Sequence, residues 1–174
     1  MPRTVYYAAM SLDGFIADVR GGVDWLEPFD STEFGYDAFF ATIGAVVMGR
    51  TTYEQSLTFG PWPYAERLGI IVTSRPLDGL PEGVRAVHLD ALSGALDALR
   101  AEASGDLWIV GGGRTAQACI DRDRVDELEL YVIPRLLGDG VPLLERRDAL
   151  ARLQLIEARA FSNGVVRTRY RLER

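Results

Sequence analysis

Leu107-Trp108-Ile109-Val110-Gly111-Gly112-Gly113-Arg114-Thr115 joins a short apolar run to three consecutive glycines. A continuous apolar run bounded by glycine reads as a buried strand over Leu107–Val110, and the residues after it read as a helix to about Ile120. Three adjacent glycines cost chain entropy on folding, so a bare backbone here has a use. Close approach of a flat or phosphorylated ligand is one such use. Tight packing of helix on sheet is the other, and it explains one glycine better than three. Gly111, Gly113 and Ala116 also satisfy a loose G-x-G-x-x-A dinucleotide pattern. The following strand, however, places no acid at its end, where a ribose hydroxyl would need one.

A second strand-to-helix turn lies upstream. Ala45 to Met48 reads as a short buried strand, and Gly49-Arg50-Thr51-Thr52 opens a helix near Thr51. Free N–H groups at a helix start favour an anion, and glycine lets that anion reach the chain. Arg50 adds a bidentate donor and the threonines add hydroxyls. An ordinary capped helix start accounts for the same residues without a ligand. Between the two turns, Ile70-Ile71-Val72-Thr73-Ser74-Arg75 reads as a strand that ends in hydroxyls and a guanidinium. That end suits the 2′-phosphate of an NADP-type nucleotide, or is simply a solvated strand end before Pro76.

The rest of the chain continues the alternation. Arg3 to Met10 reads as the first strand, closed by Asp13-Gly14, and a loop from Asp18 to Ser31 carries Trp25 in its middle. Ser31 is placed to cap a helix to about Thr42, with Phe34, Ala38 and Ile43 or Phe39 on its apolar side. Arg85–Leu89 and Leu128–Ile133 are further strands, and Leu92–Ala103 is a helix with apolar residues at Leu92, Ala95, Leu96 and Leu99. Arg152–Phe161 and Val165–Leu172, joined by Ser162-Asn163-Gly164, form a hairpin. Strand and helix in alternation, closed by an antiparallel pair, give an α/β fold: a mixed, mostly parallel sheet between helices, with an antiparallel C-terminal edge.

Composition narrows the functions. The chain of 174 residues is 48% apolar and 25% charged, which fits one domain over 1–174 with its own core. A net charge of −6 disfavours nonspecific binding to nucleic acid or to an anionic membrane. All 19 basic residues are arginine, which excludes a Schiff-base lysine and a phosphate-loop lysine. One cysteine, Cys119, and one histidine, His88, form neither a disulfide nor a zinc site of ordinary type. No apolar signal region and no spanning segment is present, so a cytoplasmic protein is expected.

Four ordered stretches together resemble a known superfamily: Ala8-Ala9-Met10-Ser11-Leu12-Asp13-Gly14-Phe15-Ile16-Ala17, Val47 to Glu54, Ile71 to Arg75, and Ile109 to Gly113. The set looks like the dihydrofolate reductase superfamily. It most resembles the branch that contains the reductase domain of the bacterial riboflavin-biosynthesis deaminase-reductase. Val125 to Pro134 followed by Leu136-Leu137-Gly138 is typical of that branch.

The resemblance implies a dihydrofolate-reductase-like three-layer fold and an NADPH-dependent reductase. Gly49, Arg50, Thr51 and Thr52 would hold cofactor phosphates. Thr73, Ser74 and Arg75 would take the adenosine end and its 2′-phosphate. Gly111, Gly112 and Gly113, with Arg114 and Thr115, would lie along the pyrophosphate and nicotinamide, and Ala8 and Ile16 would line the nicotinamide pocket. The substrate would be a small heterocycle of the 5-amino-6-(5-phosphoribosylamino)uracil type. Among the chain's aromatic residues Trp25, Phe34, Phe39 and Trp62 could roof a flat ring, Trp62 in its loop between Pro61 and Pro63 being the best placed, although aromatic residues mostly serve the core. A homodimer is implied, through the Val125–Pro134 strand or the tail hairpin.

Two departures leave the substrate open. Riboflavin-pathway reductases carry a glutamate where Gly111 stands, and an aspartate–proline motif where this chain has Tyr53-Glu54-Gln55-Ser56. Dihydrofolate reductases have three glycines, as here, and an acid on the first helix, which would be Asp37 or Glu33. Either acid also suits a helix start with no catalytic role. The remaining alternatives are therefore a pteridine reductase and a non-catalytic NADPH-binding protein that has lost the substrate acids.

Overall fold

The computed structural model describes residues 1–29, 32–145 and 150–173. In chain order the regular elements are β1 (Thr4–Ser11), β2 (Phe15–Ala17), α1 (Tyr36–Ala41), β3 (Ile43–Gly49), α2 (Arg50–Thr58), β4 (Leu68–Val72), β5 (Val84–Val87), α3 (Leu92–Glu102), β6 (Asp106–Gly111), α4 (Gly113–Ile120), β7 (Glu127–Ile133), β8 (Val141–Pro142), β9 (Leu153–Ala160) and β10 (Val166–Leu172). Eight strands form one sheet in the order β5-β4-β3-β6-β1-β7-β10-β9, while β2 and β8 pair separately. The pairs from β5 to β7 are parallel. β10 runs antiparallel to both β7 and β9. This is the mixed sheet with an antiparallel C-terminal edge that the alternation predicts.

Side chains alternate across a strand, so each buried strand feeds two layers. On one face Tyr6, Val47, Ile70, Leu107, Ile109 and Leu128 pack with Leu92, Leu96 and Leu99 of α3 and with Ala116, Cys119 and Ile120 of α4. Burying each of those leucines stabilises the fold by about 2 kcal/mol. On the other face Val46, Met48, Ile71 and Trp108 meet Tyr53 of α2, Tyr64, and Tyr36, Phe39 and Phe40 of α1. The fold is therefore three-layered, with α1 and α2 on one side of the sheet and α3 and α4 on the other.

The first helix differs from the sequence expectation. A 3-10 turn covers Thr32–Phe34, Gly35 follows at φ 76°, and only then does α1 begin. A left-handed residue cannot continue a right-handed helix, so Gly35 splits the expected element in two. Ser31, the expected cap, lies outside the described residues. Ala38, expected on the apolar side, is exposed, because α1 turns Tyr36, Phe39 and Phe40 inward. Phe34 is buried, but with Tyr131, Ile133 and Val165 instead.

The sequence reading also omits β2 and β8. Each is only two or three residues long, with no alternation to mark it. Elsewhere the boundaries agree to within about two residues, the usual ambiguity of element ends.

Candidate functional site

β3 leads through α2 to β4 in one direction, and its neighbour β6 leads through α4 past β1 to β7 in the other. Adjacent parallel strands whose connections part in this way leave a crevice outside their carboxyl ends. Met48 and Gly111 are register partners at that end. The two glycine turns read from the sequence therefore face each other across one crevice, although 60 residues of chain separate them.

The glycines in the crevice differ in what requires them. Gly49 precedes α2 in an extended conformation, and a Cβ there would lie 2.8 Å from the Thr115 Oγ1. Gly112 takes φ 83°, a left-handed value that glycine adopts without penalty. A Cβ on Gly113 would collide with the Pro142 carbonyl oxygen and come within 2.9 Å of that of Leu143. Gly111 has neither constraint: its φ is not positive, and a Cβ would touch only Thr52, at 3.5 Å and beyond. Packing thus explains Gly113, backbone conformation explains Gly112, and neither explains Gly111.

Thr52 and Thr115 bring two hydroxyls to this crevice, one from each turn. A Cβ on Gly112 would lie 3.4 Å from the Thr52 Oγ1 and 3.6 Å from that of Thr115. Neither hydroxyl makes a hydrogen bond among the described residues, so both are open to a ligand. Thr115 is itself buried, whereas Thr51 is exposed. Arg50 is held at the mouth. Its Nε donates to Glu54 Oε1 at 2.6 Å and one terminal nitrogen donates to the Pro76 carbonyl at 3.2 Å. The guanidinium therefore already links α2 to the segment after β4.

That segment begins at Thr73, whose Oγ1 accepts from the Arg75 amide and donates to the Arg75 carbonyl, both at 3.1 Å. This tight turn presents Ser74 and Arg75 to solvent, and Arg75 makes no ion pair among the described residues. Arg114 is almost fully exposed and approaches Glu145 Oε1 at 3.4 Å.

The residues assigned to the substrate side are more scattered. Ala8 is half-buried against the α3–α4 side of the core. Ile16 is half-buried in β2. Trp25 packs on the cluster around Phe34, whose ring lies 5.2 Å from that of Tyr131 and 4.9 Å from that of Phe161. Phe34 is thus a core residue in this arrangement. Trp62 packs between Tyr53 and Tyr64, and its Nε1 is buried without a hydrogen-bond partner among the described residues, as is that of Trp25. Glu33 and Asp37 are both exposed, in the 3-10 turn and in the first turn of α1.

Next to Thr52 lies a cleft of about 310 Å³ lined by Val23, Thr52, Gln55, Ser56, Phe59, Pro61, Pro63 and Tyr64. Gln55 joins its two walls by donating to the Gly21 carbonyl at 2.9 Å. The only polar side chains in this lining come from α2 and Tyr64, so the cleft suits a largely apolar, flat molecule. A depression of about 320 Å³ lies elsewhere, lined by Ile120, Val125, Arg152 and Leu172 among others, and includes none of the crevice residues.

Two features went unread in the sequence. Tyr7, Tyr36, Phe39 and Trp108 form an aromatic block beneath α1, with the rings of Tyr7 and Phe39 stacked 4.1 Å apart. Burial raises the Tyr7 phenol well above its ordinary range, so it stays protonated. Asp13 was read only as part of a turn. Its carboxylate accepts from the Ser11 hydroxyl at 2.6 Å, from the Leu137 amide at 3.1 Å and from the Gly138 amide at 2.7 Å. Those bonds, led by that from Ser11, hold its pKa below the usual carboxylate value. Cys119 is fully buried and its thiol is pushed up to about 12, which leaves it inert. Among the described residues no group of three or more His, Cys, Asp or Glu is placed to hold a metal ion.

The model of the RibD C-terminal domain matches residues 2–167. The chain belongs to the RibD C-terminal domain family. The uncharacterized protein YwjB of Bacillus subtilis (strain 168) is 33% identical over 165 residues, covering 94% of either chain. A protein of Shewanella sp. PV-4 named for riboflavin biosynthesis superposes with a TM-score of 0.81 at 27% identity, over 99% of both chains. The dihydrofolate reductase of Enterococcus faecalis, solved with NADP(H), shares the fold at a TM-score of 0.66 and 21% identity, over 99% of this chain and 97% of that one. The RibD C-terminal domain fold and the dihydrofolate reductase fold are thus the same architecture, and the family is one of reductase-like domains. No helix of the described residues is long and apolar enough to cross a membrane.

Proposed function

We propose that the chain is a single-domain NADPH-dependent reductase of the riboflavin type, acting on a small flat heterocycle. The observation that carries this reading is the meeting of two glycine turns and two open threonine hydroxyls at the crevice between β3 and β6. The residues present fit a dinucleotide there. The starts of α2 and α4 offer backbone N–H groups to phosphate, Thr52 and Thr115 offer hydroxyls, and Gly111 offers bare backbone to a flat group. Arg50 and Thr51 stand at the mouth for a phosphate, and Thr73, Ser74 and Arg75 form the adjoining cationic turn for the 2′-phosphate. Gly112 and Gly113 with Arg114 continue the second turn along the cofactor.

NADPH supplies the reducing equivalent when bound. The protein's part is to exclude water and to align the acceptor in the cleft beside Thr52, where Tyr64 forms part of one wall with Trp62 packed behind it, while Trp25 and Phe34 belong to the cluster around Tyr131. Ala8 and Ile16 are the residues proposed for the nicotinamide side of the cofactor. The proton comes from water or from a carboxylic acid, for which Glu33 and Asp37 are the candidates on the first helical segment. Among substrates, an aminouracil of the riboflavin pathway agrees with the family. A pteridine is the second reading, favoured by Gly111 where riboflavin-pathway reductases carry a glutamate.

The protein acts in a reducing cytoplasmic setting, in keeping with its one buried thiol, and associates as a homodimer. For the latter, β9 is a sheet edge with Leu153, Leu155 and Ile156 respectively 44%, 55% and 38% exposed, a surface that a second copy covers well.

The test is a fluorescence titration with NADPH and NADH on the wild type and on Arg75→Ala. Loss of a charge-assisted contact to the 2′-phosphate weakens NADPH by about tenfold or more and leaves NADH within about twofold. Equal losses for both cofactors remove Arg75 from that role, and failure of the wild type to bind either one removes the reading.

A further inference from the structure

The segment after β7 is tied to the start of the chain at every step. The Leu12 amide donates to the Arg135 carbonyl at 2.8 Å. Leu137 and Gly138 donate their amides to the carboxylate of Asp13. β8 pairs with β2, placing Val141 opposite Ala17 and Pro142 opposite Phe15. The Leu143 amide donates to the Gly14 carbonyl at 2.9 Å, and its carbonyl accepts from the fully buried Tyr6 hydroxyl at 3.1 Å. The same stretch, Pro142–Leu143, is the backbone that presses on Gly113 at the start of α4.

These contacts form one mechanical series. The turn after β1 grips residues 135–143, and residues 142–143 bear on the first turn of α4. Most links in the series are backbone to backbone and cannot be removed by substitution. Two links use side chains, the buried Tyr6 hydroxyl on the Leu143 carbonyl and Asp13; of these only Asp13 is exposed, and it satisfies two amides of a loop that lies 124 residues away. No other described carboxylate bonds to those amides.

We propose that Asp13 is a positioning residue, which by bracing residues 137–138 fixes where the glycine turn at the start of α4 sits in the crevice. Its consequence for cofactor binding rests on the reading of that turn as part of the dinucleotide site. The brace itself does not. Asp13 touches no group of the crevice, so its effect on a ligand is indirect: through Pro142, Leu143 and Gly113, and through Ser11 to the start of β2.

Two readouts on the purified full chain separate the brace from its consequence. The first is amide hydrogen exchange of Asp13→Ala without ligand. Leu137 and Gly138 lose protection in any case, because their acceptor is gone. The deciding amides are those of Thr115 and Ala116, which bond to the Gly112 carbonyl at 2.9 and 3.1 Å. They exchange about tenfold faster in the variant, while Ile70 and Ile71 of β4 keep their wild-type rates. Unchanged protection at Thr115 and Ala116 overturns the proposal. Should Asp13→Ala not fold, Asp13→Asn keeps one acceptor oxygen and gives the same pattern at smaller amplitude; Thr115 and Ala116 at wild-type rates in that variant likewise overturn it.

The second readout is the NADPH dissociation constant. It rises about tenfold in Asp13→Ala, and KM for NADPH rises with it while kcat stays within about threefold, since no reacting group has moved. A lowered melting temperature with an unchanged dissociation constant assigns Asp13 a structural role only. If the wild type binds no NADPH, the dinucleotide reading fails, and the exchange rates still decide the brace.

Discussion

The turns after β3 and β6 look alike in sequence and are built differently. The first is held by side chains: Arg50 reaches Glu54 and the Pro76 carbonyl, and Gly49 is backed by the hydroxyl of Thr115 from the second turn. The second is held from outside, by the backbone of Pro142 and Leu143 against Gly113. A side-chain grip is adjustable, because a hydroxyl or guanidinium rotates to accept a change. A backbone grip is not, since the segment behind it is tied to β1 and β2. The glycine-rich turn is thus the rigid half of the crevice and the arginine-bearing turn the adaptable half. Rigid groups aimed at a ligand need no reorganisation when it binds, which is the physical advantage of preorganisation.

Substitutions that separate these grips break or sharpen the contrast. The largest effect is expected from Gly113→Ala, whose methyl group would displace the Pro142–Leu143 backbone. Overpacking against backbone costs about 3 kcal/mol or more, read as a lowered midpoint in urea unfolding. A midpoint equal to the wild type's would mean that residues 142–143 give way easily and that the second turn is not rigid. Next is Gly111→Ala, two residues earlier, where the added methyl has ordinary contact with Thr52 only. Stability is expected to stay within about 0.5 kcal/mol, while NADPH affinity falls by about tenfold because the bare backbone is lost. Unchanged affinity would leave Gly111 without a function at the crevice.

The smallest effect is the pH dependence of stability. Asp13 and Asp18 both have pKa values lowered from 3.8, Asp13 first by the Ser11 hydroxyl and Asp18 by the Gly22 and Arg20 amides. Glu157 is lowered from 4.5 by its hydrogen bond and ion pair with Arg167. A folded-state pKa below the unfolded one stabilises the protein at pH values above the unfolded pKa, and this is lost as pH falls through the folded value. Stability is therefore flat with respect to these three groups from pH 7 to about 5 and declines below about pH 4, as measured by unfolding at fixed temperature. A decline already complete at pH 5 would contradict the assignment. Asp13 is exposed and Asp18 and Glu157 keep partial contact with solvent, which keeps the amplitude small.

The sheet and most helices were legible in the sequence because they rest on local patterns. β3 and β6 are uninterrupted apolar runs that end at glycine, and α3 repeats its leucines at helical spacing, so each declares itself within ten residues. α1 did not, because Gly35 inside an aromatic-rich stretch ends one turn and starts another, and a helical pattern does not register that change of backbone sign. β2 and β8 were invisible for a different reason: their pairing is fixed by the rest of the fold and not by their own residues. At the site, the glycines, threonines and arginines were found as motifs, but their meanings were not equal. Gly113 and Gly111 are adjacent to the same residue, yet Gly113 is required by the Pro142 carbonyl, whereas a methyl at Gly111 would meet only Thr52 in ordinary contact, so packing gives no reason for it. Asp13 was the furthest out of reach, since its partners Leu137 and Gly138 contribute only backbone amides, which any residue but proline possesses.

The central claim is that one dinucleotide spans both turns. It is tested most directly by following backbone amide resonances during a titration with NADPH. The account predicts saturable shifts at Gly49, Arg50, Thr51 and Thr52 together with Gly111, Gly112, Arg114 and Thr115, all fitting a single dissociation constant. Shifts confined to one turn, or centred on the distant depression around Ile120, Val125 and Arg152, would contradict it.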